Sequence, residues 1–216
     1  MLLQDRLSKA DSLYERIMVE RDSRAVYPLP ADHLLTLVYY NVYRALIQNA
    51  AVLNLDLGLM SSDDYESPFA PYSATSTLAL RILPPALQPT KLQRTIAHHP
   101  QWDLIPNPRV RDNILRYEQQ AEIDDVDLCL DLIGTESRRQ KYHRQGSSHA
   151  GCIVWGDPWD VASWEVTEAF VRKYPWMHVG TSDLEASTNK HRVKRGEYPI
   201  SWDELGVPCD DEIVGH

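Results

Sequence analysis

One segment constrains the fold of this chain more than any other: residues 33–57 are apolar around most of the circumference of a helix. The segment follows Asp32, a residue type that caps helix N-termini, and it precedes Gly58, a residue type that ends helices. A helix that is apolar on nearly all sides has to be covered by other parts of the protein. We therefore predict that this segment forms a buried central helix around which the rest of the chain packs.

The remaining predicted elements are mostly short helices joined by proline-rich connections, the longest of which covers residues 61–89. Apolar periodicity and capping residues predict helices at residues 90–97, 109–120, 124–133, 163–174 and 182–195. An apolar run at residues 152–155 is either a strand or a buried extended segment, too short to form a sheet alone. The predicted fold class is mainly α: a single-domain helical bundle around a buried central helix, with at most a minor strand element.

Composition fits one folded domain without a surplus of positive charge. The 216 residues are 43% hydrophobic and 25% charged, and their formal net charge is −9. A chain of this length can bury a sizeable core, whereas a protein that contacts nucleic acid directly needs Lys and Arg in excess. We therefore expect no direct nucleic-acid partner, and we interpret the basic stretch at residues 190–195 as the end of a helix, where cations complement the dipole.

No feature of the sequence predicts a membrane span, a metal site or a cofactor. The sequence has no run of about 18 apolar residues, and its cysteines are odd in number and far apart. Asp124, Asp127 and Asp131 share one helix face, which we interpret as a solvated surface rather than a metal site. The expected location is cytoplasmic for an enzyme and nuclear for a regulator.

Aromatic and charged residues are concentrated in two segments, HHPQWD at residues 98–103 and WGDPWD at residues 155–160. An indole buries a large area and carries one N–H donor that needs a partner, so this density indicates a specified polar and aromatic arrangement. Together with residues 32–46 and 187–197, these motifs resemble DUF3425, a fungal domain of unknown function that commonly follows the basic leucine zipper of fungal transcription factors.

The resemblance runs from about residue 29 to residue 197 and divides the chain into three parts. They are an N-terminal amphipathic helix, a DUF3425-like helical domain and a C-terminal tail, at residues 1–28, 29–197 and 198–216. Residues 1–24 contain as many acidic as basic side chains, whereas a basic-zipper arm is dense in Lys and Arg. We interpret this segment as a helix that packs on its own domain, and its heptad-like spacing leaves open a homodimer or heterodimer through a vestigial zipper.

The aromatic side chains are the candidate substrate-binding residues. They are Tyr39 and Tyr43 on the predicted central helix, with Trp102, Trp155, Trp159 and Trp164 of the two segments. A concave site lined by such rings holds apolar small molecules, and the alternative, that the rings only fill the core, stays open.

His99 and Asp157 are the candidate catalytic residues, because they lie in the same two segments and can assist proton transfer. The alternative for His99 is a structural role with Asp103 near Trp102.

Two functions follow from this combination. The first is a small-molecule-binding domain of fungal specialised metabolism that acts as a cofactor-free cyclase or isomerase on an apolar biosynthetic intermediate. A pocket that fixes a reactive conformer can accelerate such a step, including a pericyclic one, without a cofactor. The second, which the family resemblance implies, is a non-DNA-binding transcriptional regulator or a heterodimer partner of basic-zipper transcription factors.

Overall fold

A computed structural model describes residues 31–71, 82–134 and 151–208 of the chain. These residues form helices α1 (Ala31–Leu53), α2 (Pro108–Glu118), α3 (Asp125–Ile133), α4 (Glu168–Lys173) and α5 (Ser182–Lys194). Between α3 and α4 lie two short antiparallel strands, β1 (Cys152–Val154) and β2 (Trp164–Val166). The fold is mainly α with a minor sheet, as the sequence predicts. The predicted helix at residues 1–28 lies outside the described residues.

Helix α1 lies between two apolar clusters and contacts β1, α3 and the turn Trp102–Leu104. Val42 and Ala45 belong to the larger cluster, which we call the main core, and Ala50 and Leu53 belong to the smaller one. The helix ends at Leu53 and not at residue 57. The reason is Asn54, whose φ of 57° places it in the left-handed conformation that terminates helices.

Local capping signals set the bounds of α2 and α3. The side chain of Asn107 accepts hydrogen bonds from the backbone N–H groups of Arg109 and Val110, and Pro108 occupies the first turn of α2. Asp124 accepts a hydrogen bond from the Asp127 backbone at 3.0 Å, and Gly134, with φ of 86°, ends α3. Both helices lie close to their predicted positions because their caps are adjacent in sequence.

Two predicted helices are wrong in whole or in part. Residues 90–97 form turns, in which the Thr90 hydroxyl bonds Asp112 at 2.5 Å. The Gln93 side chain accepts from the Thr90 backbone within the segment and donates to Asp103 outside it. In the predicted helix at residues 163–174, the first part is strand β2, which pairs Trp164 with Val154. The helical part is confined to α4, which begins after the capping side chain of Thr167.

The chain beyond α5 completes the main core. Trp202, Leu205 and Val207 are buried there, so this part of the predicted C-terminal tail belongs to the folded domain. The Trp202 indole donates to the Thr181 hydroxyl at 3.0 Å, which attaches the segment to the start of α5. None of the helices among the described residues combines the length and the apolar character that crossing a membrane requires.

The β hairpin joins α1 to α5, since β1 contacts α1 and β2 contacts α5. It enters through Gly151, which has φ of 149° and lies against the end of α3. A Cβ atom at this position would lie 2.5 Å from the Asp131 carbonyl oxygen, so only glycine fits. This close approach places the hairpin on the main core.

Candidate functional site

The predicted aromatic residues occupy separate environments. Trp102 and Trp164 are buried in the main core, Trp159 packs against the smaller cluster, and Trp155 is half-exposed. Tyr39 and Tyr43 are half-buried on α1.

Each of three indoles donates to its own acceptor. Trp102 donates to Glu118 at 2.7 Å, Trp155 donates to Glu165 at 2.8 Å, and Trp164 donates to the Pro158 carbonyl at 2.9 Å. Trp164 lines the small cavity described below, whereas the other five rings are not among its lining residues.

The two candidate catalytic residues are also apart from a described cavity. His99 is half-buried, its Nδ1 accepts from the Gln101 backbone at 3.3 Å, and burial lowers the pKa of its imidazole despite the nearby Asp125. A hydrogen bond between the ring and the Ser62 backbone acts in the opposite direction and raises the pKa. Asp157 is exposed in the turn before Trp159. Their catalytic roles remain predictions, and the geometry favours a structural role for His99.

His98, and not His99, is the histidine that pairs with Asp103. Its Nε2 lies 3.0 Å from Asp103 Oδ1 and its Nδ1 lies 2.7 Å from the Ile96 carbonyl oxygen. Burial lowers the pKa of His98, but the Asp103 hydrogen bond and charge outweigh it, so the net pKa is raised. Both ring nitrogens face acceptors, the Ile96 carbonyl oxygen and the Asp103 carboxylate, an arrangement that favours the protonated imidazole.

Arg111 extends this buried network. Its guanidinium is fully buried and donates to the Gln93 side chain and to three backbone carbonyls, those of Ala86, Gln88 and Ile105, at 2.6–3.0 Å. Burial lowers its pKa to about 10. Gln93 also donates to Asp103, so the network connects α2 with the loop before it. Since its groups are engaged with one another, we interpret it as structural.

A small cavity in the main core contains a different histidine, His178. This residue is 1% exposed, and both of its ring nitrogens lack a hydrogen-bond partner among the described residues. Burial lowers its pKa to about 3, so the imidazole is neutral at physiological pH. The cavity, which we call the His178 cavity, measures about 30 Å³. Its lining is almost entirely apolar and includes the predicted residue Trp164 together with Val166, Phe170 and Met177.

A second feature is on the surface, where Trp155 is 50% exposed. Its ring stacks on His191 with centroids 5.6 Å apart, and the Arg195 guanidinium carbon lies 5.2 Å from the ring centre. Glu165, which is buried, accepts from the Trp155 indole and takes two further hydrogen bonds from Arg195 at 2.6 and 2.7 Å. We call Trp155, His191 and Arg195 the Trp155 surface.

An open cleft of about 600 Å³ lies beside this surface, shares Arg195 with it and is also lined by Glu165. Three arginine and three glutamate side chains line the cleft. They pair with one another, as Arg172 does with Glu168 at 2.9 Å and Arg192 with Glu197 at 3.2 Å. The volume suits a ligand or a segment of a partner. Most of the lining side chains are charged, with Ile153 and Ala169 as apolar members, so the cleft does not resemble the aromatic pocket that the sequence predicts.

The acidic face of α3 is not a solvated surface throughout. Asp131 is buried and accepts hydrogen bonds from Lys173 and from the Tyr174 hydroxyl, the latter at 2.5 Å. Asp124 caps the helix. Within the described ranges, no three His, Cys, Asp or Glu side chains are grouped so that they would hold a metal ion.

Sequence reasoning did not identify His178 or Glu165. A weak signal existed for His178, because it is the one polar side chain in the apolar stretch WMHV at residues 176–179. Glu165 lies in a strand between two buried apolar residues, and its partner Arg195 is 30 residues further along the chain. No local pattern reports such a pair.

Comparison with known proteins identifies a family for this chain. No curated protein and no solved structure is significantly similar to the chain. A family model, the domain of unknown function DUF3425, matches residues 65–186, which is more than half of the 216 residues. The match includes Trp155, Glu165 and His178 and ends before Arg195. The chain therefore belongs to the DUF3425 family.

Proposed function

We propose that this protein is a binding module that regulates a partner protein, which it engages through the Trp155 surface and the adjacent cleft. One observation carries the proposal: a half-exposed tryptophan is held in a single orientation by a buried carboxylate. Tryptophan and arginine are the residues that most often dominate the binding energy of protein interfaces. Here both are present on one surface, next to a concavity.

The Trp155 surface is organised before a partner arrives. The indole N–H is already bonded to Glu165, and His191 is held by a hydrogen bond from its Nε2 to the Ala162 carbonyl at 2.9 Å. Because these rings are fixed, binding costs little side-chain entropy. A partner therefore contacts an indole ring whose N–H group already has an acceptor. Such a ring can anchor an interface without leaving a polar group unpaired.

The finer form of the proposal follows from the family resemblance. The partner is a basic leucine zipper transcription factor of the same fungus that carries its own DUF3425 domain, and the complex forms in the nucleus. The net charge of −9 opposes direct contact of this chain with DNA. The regulator thus acts through the transcription factor and not through the duplex.

Trp155→Ala is expected to weaken partner binding roughly thirtyfold or more, because removing a central interface anchor costs about 2 kcal/mol or more. Binding is measured by biolayer interferometry against DUF3425-containing transcription factors from the same genome. Val126→Ala removes another exposed apolar side chain, on α3, and serves as the matched control that leaves affinity unchanged. If Trp155→Ala binds with wild-type affinity, or if none of these transcription factors binds, the proposal is wrong.

A cofactor-free cyclase or isomerase is the second candidate function. The observation that favours it is the neutral His178 on an apolar cavity that Trp164 also lines. Deletion of the gene with metabolite and transcript profiling separates the two functions. Loss of a whole pathway with its transcripts supports the regulator, whereas one accumulating intermediate with unchanged transcripts supports the enzyme.

A further inference from the structure

We propose that the cleft beside the Trp155 surface binds an acidic segment of the partner protein, and that Glu197 occupies the position of that segment's carboxylate until the partner displaces it. The inference rests on the proposed function, since it concerns the same surface, and it adds the chemistry that the surface recognises. Arg192 and Arg195 bind the partner's carboxylate. Glu197 is an internal competitor, which limits how tightly the cleft holds a partner.

The two arginines already hold a carboxylate, that of Glu197. It accepts from Arg195 Nε at 2.9 Å and from Arg195 Nη2 and Arg192 Nη1 at 3.2 Å. The hydrogen bond to Arg195 lowers the pKa of the Glu197 carboxyl, so the two arginines favour its ionised form. Guanidinium groups recognise carboxylates through such paired hydrogen bonds. The arrangement is therefore that of a carboxylate-binding site.

A turn at the end of α5 brings Glu197 to this position. Gly196, with φ of 78°, follows the helix, and the Glu197 backbone N–H bonds to the Arg192 carbonyl at 3.0 Å. The dipole at the C-terminal end of a helix disfavours a carboxylate, so the arginine side chains and not the helix hold Glu197. Its side chain is 44% exposed, and exposed ion pairs stabilise a protein only weakly. A partner can therefore displace Glu197 without unfolding the domain.

The charges that remain in place when Glu197 leaves favour an anion. Arg192 is held by a hydrogen bond from its Nε to the Tyr198 carbonyl at 2.8 Å. Arg195 is held by the buried Glu165, which accepts from it at 2.6 and 2.7 Å. Two fixed arginines thus face one fixed carboxylate. A carboxylate from the partner neutralises the surplus positive charge.

The rest of the cleft defines the other features of the partner segment. Ile153 and Ala169 are apolar members of the lining, and the half-exposed Trp155 ring lies beside it. Arg172 also lines the cleft and is exposed in its pair with Glu168, so it is accessible to a second carboxylate. The segment therefore combines acidic with apolar side chains.

Three short capped peptides test the inference, in which leucine alternates with glutamate, glutamine or lysine. Each is titrated into the full-length protein labelled with ¹⁵N. Binding is followed through the indole N–H resonance of Trp155, because this group bonds the same Glu165 that holds Arg195. We expect the glutamate peptide to shift this resonance at millimolar concentration and the other two to leave it unchanged. The net charge of −9 opposes nonspecific attraction of an acidic peptide.

Two variants test the roles of the competitor and of the arginines. Glu197→Gln removes the competing charge and should raise the affinity for the glutamate peptide roughly two- to fivefold. Arg192→Gln removes a donor to the carboxylate and should lower this affinity roughly three- to tenfold. Glu122→Gln and Arg94→Gln make the same charge changes at exposed positions outside the cleft and should keep the wild-type affinity. Should Arg192→Gln not fold, Glu197→Gln alone decides.

The inference is wrong if the glutamate peptide binds no better than the glutamine peptide, or if the lysine peptide binds best, which would mean that the cleft takes a basic segment. It is also wrong if Glu197→Gln weakens or does not change the binding, because Glu197 would then only complete the end of α5. Failure of the proposed function is a different outcome, measured by the effect of Trp155→Ala on transcription factor binding. If Trp155→Ala loses the partner while the glutamate peptide does not bind, the surface is an interface for a partner of other chemistry.

Discussion

Arg111→Met is expected to lower the free energy of unfolding by about 3–5 kcal/mol, a large part of the roughly 5–15 kcal/mol that a domain has. The guanidinium is fully buried and bonds three backbone carbonyls and the Gln93 side chain. Methionine fills much of the volume but donates nothing. The carbonyls of Ala86 and Ile105, which share one guanidinium nitrogen, then lose that donor.

Arg109→Met is the matched control, since Arg109 is exposed on the same helix two residues away. It should change stability by no more than about 0.5 kcal/mol. Arg111→Lys should fall between the two, because one ammonium group cannot reproduce the fork of the guanidinium. Urea unfolding followed by circular dichroism gives all three values. Equal stability of the Arg109 and Arg111 variants would show that the network does not hold α2 to the loop.

The same network shows why part of the fold could not be predicted. The bounds of α3 were predictable because Asp124 and Gly134 report its two ends within the segment itself. Residues 90–97 have a helical pattern, but Gln93 accepts from Arg111, 18 residues later. A side chain committed to a distant partner overrides local propensity, and its sequence pattern does not reveal that partner.

The prediction of a helix at the position of strand β2 was wrong for a related reason. Residues 164–166 precede good helix formers, and their strand partner lies in residues 152–154, beyond the reach of a local pattern. The position of the central helix was predictable from its many apolar residues, but the predicted burial around most of its circumference was wrong, because Asn41, Arg44 and Ala51 are exposed. The end of the helix was not predictable, since termination depends on the conformation of Asn54 and not on the later glycine.

The candidate site was less predictable than the fold. The density of tryptophan in two segments indicated that each indole has a specified partner, and three of them do. The tryptophan density did not indicate that the three hydrogen-bond acceptors lie in separate parts of the fold. Side-chain direction in turns such as residues 155–160 depends on backbone detail that composition does not contain. Among the described residues, the buried histidine without a hydrogen-bond partner in the protein is His178, which lies outside both tryptophan-rich segments.

Acid is expected to destabilise the wild-type protein more than His178→Phe. Burial lowers the pKa of His178 from 6.5 to about 3 in the folded state. Below pH 6.5 the unfolded chain binds a proton that the folded protein does not, so stability falls as the pH drops from about 6.5 towards 3. At 1.36 kcal/mol per pKa unit, the loss from this residue is about 2 kcal/mol at pH 5.

His98 has the opposite dependence, which makes the comparison specific. Its folded pKa is raised, so its contribution to stability is fully present below pH 6.5 and is lost as the pH rises through that folded value. Glu197 has a pKa lowered by its hydrogen bond to Arg195, and its contribution is lost in acid as that of His178 is. Subtracting the variant from the wild type at each pH removes both residues and leaves His178.

Urea midpoints at pH 7, 6, 5 and 4 measure this difference for the wild type, His178→Phe and the surface control Val126→Ala. The stability of His178→Phe relative to the wild type should rise steadily below pH 6.5, while that of Val126→Ala stays constant. A difference for His178→Phe that does not change with pH would mean that the imidazole is charged or hydrated in the folded protein.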